Sequence, residues 1–275
     1  MKKILVPTDF SENAVVAGNV AIKIAQTIQA EIEFIHSYSF INSSFQSEEA
    51  RKTHAEESLK EAELEMSKYL SRFEFNSIAH STCYSSRPLI RTIENIGAES
   101  DVKLIIMGTN GASGFNYILG SNSLEVAKKS KIPLLIVPLN TDVSNINKIV
   151  FFTDFQTQDL KTLKSIQDLF ANSPLQFDVV HFQDKDVFTV EENELRLENH
   201  LVEIQKQLMS DKVKGYVYPQ NANIKSVSLV INEKHPDIIS LSLIDRSFWD
   251  SILEKSLAKQ IILNPFKPVF ILNKN

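Results

Sequence analysis

One pattern is written twice along this chain. Lys2–Asp9 (KKILVPTD) has a counterpart in Lys148–Asp154 (KIVFFTD), and each short apolar strand runs into Thr-Asp-Phe. A stretch with helical period follows in both halves, Ala14–Ile28 and Leu160–Phe170. Each half then has a strand ending in histidine, Ile32–His36 and Phe177–His181, and a long charged helix, Ser47–Arg72 and Val190–Asp211. A short strand comes next (Ser77–Cys83; Gly215–Tyr218), then a helix (Pro88–Ala98; Ile224–Lys234) and an apolar strand (Val102–Met107; Ile238–Leu243). Both halves close on helix, proline and strand, Ile132–Val137 and Lys267–Leu272.

A unit repeated once at a period of about 140 residues is a duplicated domain and not a solenoid, whose periods run about 20–50 residues. Strands alternating with helices of ten or more residues imply βαβ units and a mainly parallel sheet. Strands such as Ile4–Val6 and Leu134–Val137 are apolar throughout, as expected where helices cover both faces. The polar run Leu139–Asn147 reads as a linker, so residues 1–140 and 147–275 are expected as two domains in contact. With 275 residues and 43% hydrophobic content the chain can fill such cores.

The formal net charge of −5 argues against a broad basic surface for nucleic acid. It leaves room for small anions, which need only local donors. The single cysteine, Cys83, cannot form an intrachain disulfide and reads as a buried, inert thiol in a reducing compartment. The start MKKILVPTDF holds too short an apolar run for a signal sequence or a membrane span, so a soluble, cytoplasmic protein without membrane partners is expected.

Four of the seven glycines, Gly108, Gly111, Gly114 and Gly120, fall within thirteen residues. They lie between the apolar run Leu104–Met107 and the helical run Ser121–Ser130. A strand, a glycine loop and a helix start can hold a phosphate with backbone N–H groups and the helix dipole. Gly108 and Gly111 let the chain turn off the strand. Gly120 and Ser121 stand at the helix start, and Ser121, Asn122 and Ser123 add side-chain donors. No Lys-Ser or Lys-Thr follows the last glycine, so this is not a Walker A loop, and the glycines do not follow the first strand as in the dinucleotide fingerprint. Thr8 and Asp9 end the first strand, where ligands of open parallel sheets bind; a carboxylate there can accept from a ribose hydroxyl or an adenine amine. Asp9 or Ser11 equally suits a helix cap. His36 and His181 read as strand-end histidines bonded to backbone, and the other histidines as scattered. No metal-ligand spacing, nucleophile elbow or acid/base pair stands out.

These residues carry a resemblance. ILVPTDFSENA, the strand-end histidine of IEFIH, and IIMGTNGASG…LGSNSLEVAKKSKIPLLIVP resemble the universal stress protein family across nearly the whole first half. Two such halves resemble a tandem member. The resemblance implies an α/β fold of the adenine nucleotide alpha hydrolase kind: two doubly wound five-stranded parallel sheets of order 3-2-1-4-5, packed as a pseudo-dimer through their last strands. It also implies ATP or a related adenine nucleotide, with Mg²⁺ where phosphates need it. Pro7, Thr8 and Asp9 would lie near adenine and ribose, and Ser37 on the adenine side. Met107, Gly108, Gly111, Gly120, Ser121, Asn122 and Ser123 would line ribose and phosphates. Eight residues separate Gly111 from Gly120, one fewer than in the family's nucleotide-binding pattern.

The second half departs further. Phe152 stands for Pro7, the segment after Leu243 has no glycine, and Lys255-Ser256 replaces Gly120-Ser121. This half reads as a copy that keeps the fold and loses the ligand. The function expected is a stress-response protein that binds an adenine nucleotide in its first domain and acts through protein partners. Further homodimerisation is compatible with this, and any ATP hydrolysis would be slow. The competing reading is a chaperone-like or interaction protein with both sites defunct.

Overall fold

The computed structural model describes residues 1–39, 47–109, 120–142, 145–183, 188–219, 221–243, 257–263 and 265–273. In the first half they form β1 (Lys3–Pro7), α1 (Glu12–Ile28), β2 (Glu31–Ser37), α2 (Glu48–Leu70), β3 (His80–Ser85), α3 (Leu89–Glu99), β4 (Val102–Gly108), α4 (Ser121–Lys129) and β5 (Leu134–Val137). The second half gives β6 (Lys148–Phe152), α5 (Gln158–Leu169), β7 (Gln176–Phe182), α6 (Val190–Leu208), β8 (Val213–Tyr218), α7 (Ile224–Lys234), β9 (Ile238–Leu243), α8 (Leu257–Leu263) and β10 (Val269–Asn273).

The helices start where the sequence offers caps. Ser11 and Ser47 each accept from the backbone N–H three residues on, and Thr189 with Glu192 forms a reciprocal capping box at α6. β3 begins three residues later than the expected Ser77. Asn76 and Ser77 take φ of 47° and 71°, a left-handed turn that delays the ladder until His80 pairs opposite Ile32.

The strands lie in the order β3-β2-β1-β4-β5-β10-β9-β6-β7-β8. Each half keeps the 3-2-1-4-5 arrangement, and the two five-stranded units run on as one ten-stranded sheet. Pairing is parallel within each half. At the junction it is antiparallel, with Phe270 opposite Leu135 and Ile271 opposite Leu134. The two terminal strands therefore meet as expected, and neither leaves an open edge there. The core is one apolar layer on each face, and each layer is shared by both halves. One joins Ile4, Phe34 and Leu135 to Phe151, Phe177 and Phe270; the other joins Leu5, Ile105 and Ile136 to Val150, Ile239 and Val269. A polar tie adds to this: Asn273 of β10 donates to the Ala127 and Ser130 carbonyls at the end of α4, at 2.8 and 2.7 Å, occupying acceptors a helix end leaves unpaired.

Candidate functional site

Strand order reverses between β1 and β4, and a cavity of about 310 Å³ opens at their carboxyl ends, where the doubly wound fold places ligands. Ten of the residues singled out from sequence line it: Pro7, Thr8, Asp9, Ser37, Met107, Gly108, Gly120, Ser121, Asn122 and Ser123. Gly111 and the loop 112–119 lie outside the described residues. Ala14, Ile35, His36 and Leu89 complete the lining; the sequence reading gave these no ligand role because apolar side chains on a strand or helix register as core and His36 reads as a strand-end histidine bonded to backbone.

The turn after β1 sets the floor. Thr8 is buried, and its Oγ1 accepts from the Phe10 N–H at 3.0 Å. Asp9 is exposed, and its Oδ1 accepts from the Ser11 N–H at 3.1 Å. Ser11 in turn caps α1. The carboxylate is thus held at the mouth of the cavity with its second oxygen available to a ligand donor. His36 donates from Nδ1 to the Thr8 carbonyl at 2.9 Å, because a carbonyl only accepts. His181 does the same to Thr153 at 2.9 Å. Both histidines are therefore bonded to backbone, as expected for strand-end histidines.

The opposite wall is β4 and the start of α4. The Gly120 N–H donates to the Thr109 carbonyl at 2.6 Å, closing the glycine segment at its base. Ser123 donates from Oγ to the Gly108 carbonyl at 3.1 Å. Gly108 cannot carry a side chain: a Cβ there would stand 2.8 Å from the Asn13 carbonyl oxygen and 2.9 Å from its carbon. Gly120 is the N-cap of α4 and has no side chain to bond its first-turn N–H groups, and Gly120, Ser121, Asn122 and Ser123 of that turn line the cavity. On the remaining side, the Ser37 Oγ is buried and has no hydrogen-bond partner among the described residues.

The equivalent place in the second half is built differently. Strand pairing sets Phe152 where Pro7 stands and Phe182 where Ser37 stands. These two rings stack with centroids 5.5 Å apart and are buried. Lys255-Ser256 and the segment after Leu243 lie outside the described residues.

An acid–base pair that the sequence reading did not find sits beneath this second half. The Asp159 Oδ2 accepts from Thr153 Oγ1 at 2.5 Å, from the Gln156 N–H at 3.3 Å and from His200 Nε2 at 3.2 Å. Asp159 takes the helix position that Ala14 holds in the first half. His200 stands 5.7 Å from Phe155, just as Tyr69 stands 5.7 Å from Phe10. Asp159 and His200 are 41 positions apart, so no local spacing announces them. The carboxylate lies between the hydroxyl and the imidazole, so the imidazole does not reach the hydroxyl proton as a nucleophile's base must. The cluster is a buried structural network.

Cys83 is half buried, not buried as expected, and its desolvation holds the thiol pKa above the ordinary range. That disfavours the thiolate, so the inert reading of this residue stands on its environment. Among the described residues no group of three His, Cys, Asp or Glu side chains could hold a metal ion, and no helix is long and apolar enough to cross a membrane.

A sequence profile of the Universal stress protein family matches residues 1–138. The chain belongs to the universal stress protein family. A universal stress protein from Archaeoglobus fulgidus DSM 4304 is similar over 99% of this chain and 98% of its own, at a TM-score of 0.66 and 18% identity. A functionally unknown protein from Pseudomonas aeruginosa PAO1 is similar over 98% of this chain and 92% of its own, at 0.59 and 16%. At these identities the likeness is one of fold, and it extends over both halves. No curated protein matches. The universal stress protein match ends at the close of β5, so it covers the half with the open cavity.

Proposed function

We propose that the first half, residues 1–140, binds an adenine nucleotide, ATP or a close relative, in the cavity at the ends of β1, β2 and β4. Residues 147–275 act as a second domain that keeps the fold and has lost the ligand. Pro7, Thr8 and Asp9 contact adenine and ribose, Ser37 lies on the adenine side, and Met107, Gly108, Gly111 and Gly120–Ser123 serve ribose and phosphates. The carrying observation is the convergence of residues from β1, β2, β4 and α4 on one cavity with an unpartnered Ser37 hydroxyl inside it. The volume falls in the range of small-molecule sites, about 300–1,000 Å³. Asp9 is the one carboxylate among the described lining residues, so a Mg²⁺ ion would ride on the phosphates with a carboxylate oxygen of Asp9 beside it. The protein then acts as a sensor that binds the nucleotide and signals through protein partners.

The test is mass spectrometry of the purified protein after denaturation, followed by calorimetry with ATP. Co-released adenine nucleotide, or ATP binding that Gly120→Val abolishes without loss of fold, supports the reading. A clean protein that does not bind ATP leaves a scaffold that works through protein contacts alone. Unchanged affinity in Gly120→Val moves the site elsewhere.

A further inference from the structure

A second cavity, of about 790 Å³, lies at the opposite end of the first half's strands, where that half meets α5. Its apolar floor is Val102, Pro133, Leu160 and Leu169. Four lysines line it, Lys2, Lys103, Lys161 and Lys164, against one aspartate, Asp168. Lys164 pairs with Asp168 at 2.9 Å and Lys103 with Asp101 at 2.5 Å. Lys2 and Lys161 have no ion pair among the described residues. On a chain of net charge −5 such a cluster is a local inversion of the overall field.

The duplication supplies an internal control. Strand register makes Asn147 the equivalent of Lys2, while Lys103 is the extra residue where the β1–β4 register shifts between Lys3 and Ile4, and the β6–β9 pairing has no such shift to hold a counterpart. The shared Thr-Asp-Phe turns place Val16 and Asn19 of α1 where α5 has Lys161 and Lys164. All four lysines are therefore absent from the mirrored groove. There Asp237 instead accepts from the Asn147 and Lys148 N–H groups at 2.9 Å each, a purely structural use. The fold does not demand the lysines, and beyond the Lys103–Asp101 and Lys164–Asp168 pairs the groove keeps the cations of Lys2 and Lys161, which have no carboxylate partner among the described residues.

We propose that this groove is a binding site for a small organic phosphate, with the phosphate among Lys2, Lys161 and Lys164 and a ring or acyl body on the Val102–Pro133–Leu160 floor. The apolar floor distinguishes this from an inorganic-ion site, and the location between two packed units is where ligand sites concentrate. It is independent of the strand-end cavity, and failure of nucleotide binding there leaves it untouched.

The probe is 1-naphthyl phosphate, titrated by calorimetry at low salt into the full chain, into Lys161→Glu/Lys164→Glu and into Gly120→Val. The expected result is saturable binding that is tighter than for inorganic phosphate, weakened at least about tenfold in the lysine variant and unchanged in Gly120→Val. Lys161→Gln/Lys164→Gln, with a thermal melt, separates lost charge from lost fold; a folded Gln variant with weakened binding supports the site. Absence of saturable binding to the wild-type chain, equal affinity in the lysine variants, or loss confined to Gly120→Val overturns it.

Discussion

Phe10 lies flat on His36, ring centroids 4.3 Å apart and planes 28° apart, while its own backbone sits at φ 64°. A bulky residue in the left-handed region costs of order 1–3 kcal/mol unless its surroundings fix it. Two hydrogen bonds to Thr8 do so, one from the Phe10 N–H to Oγ1 and one from His36 Nδ1 to the carbonyl. The second half repeats the whole device: Phe155 at φ 61°, 4.4 Å from His181, with both bonds to Thr153. A feature kept in the half with the open cavity and in the half with a stacked Phe pair serves the turn and not the ligand.

It follows that His36→Ala and His181→Ala cost similar stability. Loss of one hydrogen bond and one ring contact is worth about 2 kcal/mol in each case. Urea midpoints at unchanged m-value measure this. A histidine whose service was to ligand alone would leave the midpoint of the ligand-free protein in place.

The two halves differ most informatively at Pro7 and Ser37. Their equivalents Phe152 and Phe182 fill with stacked rings the space that is open in the first half. Pro7→Phe/Ser37→Phe transplants that filling. The expected result is a folded protein whose ATP affinity falls at least about tenfold, roughly 1.4 kcal/mol, read by calorimetry beside a circular dichroism spectrum. Undiminished binding in a folded variant would place the adenine elsewhere.

Asp159 and His200 are a second difference, this time below the sheet end. Removing one member of a buried pair strands the other, a loss of about 3–5 kcal/mol. Asp159→Ala should therefore destabilise strongly, since Thr153 Oγ1, His200 Nε2 and the Gln156 N–H all lose their acceptor. The first half solves the same position with Ala14 and Tyr69, whose hydroxyl donates to the Ala14 carbonyl at 2.7 Å. Adding His200→Tyr to Asp159→Ala should recover a large part of the loss. A double-mutant cycle with no coupling would contradict the equivalence of the two positions.

Much of this architecture was legible because it was written in periodic apolar runs and written twice. Ile4–Val6 and Ile149–Phe152 mark central strands without help from the rest of the chain, and the strand-end residues Thr8, Asp9 and Gly108 announce a crevice by position alone. β3 was misplaced because HSTCYS is half exposed and has no clear alternation, so the positive-φ turn at Asn76 and Ser77 decided its start. The Asp159–His200 pair was invisible because its partners come from different helices. The available clue was a charged residue at a position where the first copy has Ala14. The lysine groove was equally hidden, since Lys2, Lys103, Lys161 and Lys164 converge only when the antiparallel junction brings α5 beside β4 and β5.

Tyr69 gives the fold a dependence on alkaline pH. Burial holds its phenol pKa well above the ordinary value of about 10. A group that keeps its proton more tightly in the folded chain contributes stability in full below the unfolded pKa and loses it as pH rises toward the folded one. Wild-type stability should thus fall relative to Tyr69→Phe as pH climbs above about 10, because phenylalanine has no proton to lose. Parallel stability curves for the two proteins across that range, by urea denaturation, would mean the phenol is solvated.

The antiparallel contact of β5 with β10 makes a last claim about the isolated first half. β5 reads Leu134–Val137, and all four residues are buried. Its outer edge is paired with β10, and both apolar layers pass straight through the junction. Residues 1–140 expressed alone would present an unpaired, wholly apolar edge, a template for strand addition. The nearest partner of matching shape is the same edge of a second copy. A two-fold axis perpendicular to the sheet would pair β5 with β5 antiparallel, as it now pairs with β10. Sedimentation equilibrium of the fragment should report a dimer, and Leu135→Lys, which puts a charge at the position facing Phe270, should shift it to monomer or to aggregate. A monodisperse, stable monomer of the unaltered fragment would show that the second half is not needed to cover that edge.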